Sequence, residues 1–104
     1  MKNNMRHVID KGLEGIRKCI DDLTVMPELI EWKYAEWFND GVKGLELASG
    51  RDLSKYKIFR PVILVPDENF EGNYIPLQNK DVINKIDIIN KAKELLENSK
   101  DLYV

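Results

Sequence analysis

Cysteine occurs once, at Cys19, and histidine once, at His7. One thiol excludes an intrachain disulfide and a cysteine-based metal cage, so the fold has to stand on packing alone. Arginine is scarce, with four against twelve lysines. No apolar run exceeds Val62-Ile63-Leu64-Val65, far short of the ~20 residues needed to span a bilayer. The start, MKNNMRHVID, has no apolar h-region or small-residue cleavage site, so the sequence shows no secretory signal. A cytoplasmic location is the default expectation. Phosphate-binding loops are missing too: LASGRDLSK has one glycine and lacks the glycine-lysine-serine ending of a P-loop.

What is present is an ordinary globular composition. The 104 residues are 43% apolar and 33% charged, with net charge −2. That length suits one domain with its own core. The charge is unevenly spread: residues 27–50 carry −3, 51–66 carry +3 and 67–79 carry −3. A field of this size does not by itself recruit nucleic acid or an anionic membrane.

Met5, Ile9, Leu13, Ile16, Ile20 and Leu23 recur at spacings of three and four, which is one face of an amphipathic helix. Glu14–Lys18, Arg17–Asp21 and Lys18–Asp22 are placed for i,i+4 pairing on the other side. Gly12 and Gly15 each cost about 1 kcal/mol there relative to alanine, so a close backbone approach is expected.

Thr24-Val25-Met26-Pro27-Glu28 reads as a stop followed by a second helix from residue 27. Asn39-Asp40-Gly41 and Ser49-Gly50 are alternative ends. The short connection makes an antiparallel αα-hairpin. Lys57 to Val65, KIFRPVILV, reads as a strand that lies at an edge or starts after Pro61, which lacks an N–H, and Asn73 to Leu77 as its return, giving a small β-hairpin that must pack on the helices. The last segment is a helix capped by Asn79 or Asp81, with Val82, Ile86, Ile89, Ala92 and Leu96 on its inner stripe and Ile83, Ile88 and Leu95 beside it. The expected architecture is a single α+β domain: αα-hairpin, β-hairpin and C-terminal helix.

Candidate chemistry is sparse. Cys19 lies at helical spacing from Ile16 and Leu23, which makes it a buried, unreactive thiol rather than a nucleophile. His7 sits near the N-terminus and reads as solvated. The acidic clusters solvate a surface, so the sequence nominates no catalytic residue, metal ligand or cofactor. Residues 67–78, DENFEGNYIPLQ, imitate a twelve-residue calcium loop but end on Gln78 where a bidentate glutamate is required.

Two surfaces remain. In EWKYAEWF, read as helix at ~100° per residue, Ile30, Tyr34, Trp37 and Phe38 share the core face and Trp32 points away. Tryptophan is enriched at binding hot spots. Trp32 with Leu29, Glu28, Glu31 and Glu36 therefore forms the expected partner-binding surface of a non-enzymatic module. Such a module would act as an inhibitor, an immunity protein or an accessory factor, by steric occlusion of a basic partner. The alternative is nucleic-acid binding through RDLSKYKIFR, where Arg51, Lys55, Lys57 and Arg60 would meet phosphates and Tyr56 and Phe59 would stack on bases. A third reading is a homo-oligomer that buries Trp32 or the glycine ridges between subunits.

Overall fold

The computed structural model describes residues 2–60, 63–66, 74–77 and 82–103. The fold is α+β and mostly helical. In chain order it runs α1 (Lys2–Thr24), β1 (Leu29–Glu31), α2 (Lys33–Ser49), β2 (Ile63–Pro66), β3 (Tyr74–Leu77), β4 (Val82–Asn84) and α3 (Lys85–Glu97). Short 3₁₀ turns at Ser54–Tyr56 and Ser99–Tyr103 complete it.

Helix α1 is the central element and packs on both α2 and α3. Its stripe buries Ile9, Leu13, Ile16, Cys19 and Leu23, while Met5 at the outer end of the stripe is exposed. Helix α2 adds Ala35, Phe38, Val42, Leu45 and Ala48, and α3 adds Ile88, Ile89, Ala92 and Leu95. Each large apolar side chain in this cluster contributes roughly 1.5–3 kcal/mol relative to exposure. The C-terminal turn folds back, with Leu102 buried in the same core.

Helix α2 runs through Asn39-Asp40-Gly41 and ends at the second expected stop. Val42, Leu45 and Ala48 continue its buried stripe, so burial carries the helix across the weak segment. At the true end Gly50 takes φ +72° and its N–H donates to the Glu46 carbonyl at 2.8 Å. A left-handed residue closing a helix favours glycine, which has no Cβ to clash.

The start of α2 differs from expectation. Residues 29–31 are a strand, and the helix begins at Lys33. Likewise, residues 82–84 are a strand, and α3 begins at Lys85 with Asn84 as its cap, in place of Asn79 or Asp81. The two strands pair antiparallel, Leu29 with Asn84, Ile30 with Ile83 and Glu31 with Val82. A backbone ladder and the burial of Ile30 against Ile83 outweigh extra helical turns at both places.

The β-hairpin pairs Ile63 with Leu77, Leu64 with Pro76, Val65 with Ile75 and Pro66 with Tyr74. Its first strand begins at Ile63, after Pro61, which is the second of the two expected arrangements, and runs to Pro66. Residues 57–60 lie outside any strand, because the Asn39 side chain binds both the N–H and the carbonyl of Ile58, at 2.8 Å each. Strands β2 and β3 contact each other, and the side chains through which the hairpin is expected to dock on the helices lie outside the described residues.

Candidate binding surface

The ends of four elements, α1, β1, β4 and α3, meet at one pole of the molecule. Helix α1 ends there with carboxylates at Asp21 and Asp22 and no base in its last turn. The missing cation arrives from α3: the Lys85 ammonium donates to the Thr24 carbonyl at 2.9 Å and the Met26 carbonyl at 2.7 Å. A positive charge at a helix C-terminus is favourable, since unsatisfied carbonyls concentrate there. The Lys85 N–H also donates to the Glu28 carbonyl at 2.9 Å. Asn84 caps α3 by accepting from the Ile86 N–H at 3.0 Å, and its amide donates to Glu28 Oε1 at 3.2 Å.

These bonds fix what β1 and β4 present to solvent. Burial alternates along both strands, so Ile30 and Ile83 face the core and Leu29, Glu31 and Val82 face out. Leu29 is 61% exposed. Val25 lies between the two carbonyls bound by Lys85, and Ile86 follows the Asn84 cap; both are exposed. The result is a cluster of exposed aliphatics, Val25, Leu29, Val82 and Ile86, among the exposed carboxylates Glu28, Glu31 and Asp87. Lys33 lies 3.7 Å from Glu31 and offsets part of that charge.

Of the expected partner-binding residues, Glu28, Leu29 and Glu31 come together here. Trp32 does not join them. It is only 8% exposed, and the Arg60 guanidinium sits 4.9 Å from its ring centroid. Its surface role is therefore corrected: position 32 follows a strand, so a helical projection from it pointed the indole the wrong way. Glu36 is exposed on the first turn of α2. Trp37, expected in the core, is 43% exposed and stands edge-on to Tyr34 with centroids 6.4 Å apart. Phe38 is buried as expected and Tyr34 partly so. Val25 had no expected role, and the helical stripe had assigned Val82 and Ile86 to the core. Alternation over Leu29-Ile30-Glu31 was the sequence signal that could have found the surface.

The basic, aromatic segment is largely engaged within the chain. Tyr56 is 5% exposed and cannot stack on a base. Lys57 Nζ is 2.5 Å from Glu46 Oε1, while Glu46 Oε2 accepts from the Leu53 N–H at 2.8 Å. The Glu46 carboxyl is held below its ordinary pKa, first by the Lys57 hydrogen bond and then by the Leu53 N–H. Lys55 Nζ lies 5.1 Å over the Tyr56 ring, and its carbonyl accepts from Lys91. Arg60 covers Trp32. Arg51 and Phe59 are exposed.

A groove of about 560 Å³ runs between α1 and α2, lined in part by Gly12, Gly15, Cys19, Trp37, Phe38 and Gly41. Burial, reinforced by the charge of Asp22, pushes the Cys19 thiol up to about 11. At neutral pH it is protonated, and no adjacent base makes it a nucleophile in the sense catalysis needs. His7 is exposed on α1. No group of three or more His, Cys, Asp or Glu side chains could hold a metal ion among the described residues. The calcium-loop imitation at 67–78 lies largely outside them. No described helix is long and apolar enough to cross a membrane.

Comparison with protein-family models, curated proteins and solved structures gives no match to this chain.

Proposed function

We propose that the chain is a non-enzymatic protein-binding module that acts by covering a surface of its partner, as inhibitors, immunity proteins and accessory factors do. The observation that carries this reading is the exposed aliphatic cluster Val25, Leu29, Val82 and Ile86 set among Glu28, Glu31 and Asp87. Apolar centres with polar rims mark protein interfaces, and a carboxylate rim favours a partner with basic residues around an apolar socket. Leu29 replaces Trp32 as the anchor, because the indole is covered by Arg60.

The test is affinity capture with the wild-type chain, followed by titration of the purified partner into wild type and Leu29→Arg. The variant places a cation on an exposed site, so the fold persists. Binding that weakens at least about ten-fold, a loss of 1.4 kcal/mol, supports the assignment. Equal affinity for the two proteins removes this surface from the account. Nucleic-acid binding through residues 51–60 is the weaker proposal, since Tyr56 is in the core and Lys57 is bound to Glu46.

A further inference from the structure

Among the described strands, β1 pairs with β4 alone, and the ladder between them dictates where the rest of the β1 backbone points. The Lys85 N–H donates to the Glu28 carbonyl at 2.9 Å, which makes Glu28 and Lys85 a hydrogen-bonded pair. Bonded and non-bonded pairs alternate along an antiparallel ladder. Ile30 and Ile83 are therefore bonded to each other. Leu29, opposite Asn84, and Glu31, opposite Val82, turn their N–H and C=O groups away from β4. Helix α2 does not use them either, because its first bonds run from Ala35 and Glu36 to the Trp32 carbonyl. Among the described residues, no hydrogen bond reaches the Leu29 or Glu31 backbone.

The same two residues carry exposed side chains on the outer face of the ladder. An antiparallel strand bonded to Leu29 and Glu31 would set one of its own side chains beside each of them. An aliphatic group beside Leu29 would extend the apolar cluster. A cation beside Glu31 would take the place of Lys33, whose exposed contact with that carboxylate at 3.7 Å is a surface pair of little worth. The Lys85 ammonium, held by the Thr24 and Met26 carbonyls, is already engaged.

We propose that this edge accepts an extended segment of the protein partner as a third strand. The segment carries lysine or arginine opposite Glu31 and, two residues later, an aliphatic residue opposite Leu29. The inference rests on the protein-binding reading above and names what that surface holds. In strand addition the main-chain bonds give affinity and alternate side chains give specificity, and both are on offer here. A second copy of this chain is a poor occupant, since it would bring Glu28, Glu31 and Asp87 against the same carboxylates.

The experiment is an NMR titration of the isotope-labelled full chain with a threonine-rich synthetic peptide that has lysine, threonine and valine in that order at its centre. In the free protein the Leu29 and Glu31 amides should exchange rapidly with solvent and the Ile30 amide slowly. Saturating peptide should slow exchange at Leu29 and Glu31 by at least about ten-fold and leave Ile30 little changed. Glu31→Pro removes an N–H that β4 does not use, so the ladder persists, whereas Glu31→Thr loses the same carboxylate and keeps the N–H. The proline variant should bind the peptide at least about ten-fold more weakly than the threonine variant. The wild-type exchange readout holds independently of either variant. A peptide that leaves the Leu29 and Glu31 amides fast overturns strand addition, as does equal affinity of the two variants. Slow exchange at both amides in the free protein at high concentration assigns the edge to a second copy and overturns it too. If partner binding falls in Leu29→Arg while the peptide leaves these amides fast, strand addition fails and the surface reading stands. Equal partner affinity of wild type and Leu29→Arg removes both.

Discussion

The Arg60 guanidinium lies 4.9 Å from the centroid of the Trp32 ring, closing over an indole that begins α2 and packs into the core. This one contact joins two segments that sequence reasoning kept apart as rival binding sites. It withdraws the chain's most prominent aromatic from the surface, and it engages a cation otherwise assigned to phosphate.

Trp32→Ala should therefore act as a core truncation, lowering stability by about 3 kcal/mol. Arg60→Ala removes a cation–π contact worth about 0.5–1 kcal/mol and leaves the indole in place. Urea denaturation separates the two. A surface-like cost for Trp32→Ala would contradict the burial assigned to it.

Asn39 supplies both halves of a backbone-like pair to Ile58. Asn39→Ala leaves that N–H and carbonyl without their partner, a cost of roughly 1–3 kcal/mol. Hydrogen exchange at the Ile58 amide should accelerate markedly in the variant while amides in the middle of α1 change less.

The helix glycines divide by sign. Gly12→Ala must displace Leu45 and should destabilise, whereas Gly15→Ala fills open space and should stabilise by up to about 1 kcal/mol. Thermal melts of the two variants at low protein concentration report the difference, and equal signs would refute the packing described.

Two titrations have opposite pH windows. Folding raises the Cys19 pKa from 9.0 to about 11, so its contribution is complete below 9 and is lost as pH rises toward 11. The Glu46 pKa is lowered, so its contribution is present above the ordinary carboxylate value and disappears as pH falls through the folded one. Glu46→Gln should accordingly lower stability at pH 7 and converge with wild type in acid. Thiol-reactive reagents should modify Cys19 slowly at pH 8 until denaturant is added.

Helix α1 was legible because its apolar residues recur over five turns, and a long period is a signal that local composition cannot mimic. The β1/β4 ladder was not, since three-residue strands carry little periodicity and Leu29 and Asn84 are distant in sequence. That omission then misdirected the indoles. Extending the α2 spacing backward through a strand aimed Trp32 outward and Trp37 inward, the reverse of their positions. Glu28, Leu29 and Glu31, acidic or isolated apolar residues flanking Ile30, are exposed in either geometry. Their aliphatic neighbours Val82 and Ile86 were hidden in a stripe that fits a helix equally well.

The central claim is that the pole formed by β1, β4 and the adjoining helix ends binds a protein. Hydrogen-exchange mass spectrometry of the captured complex tests it most directly. The account predicts slowed exchange in residues 25–31 and 82–87 when the partner is bound, with little change in 51–60. Protection confined to 51–60, or absent from the pole, would contradict it.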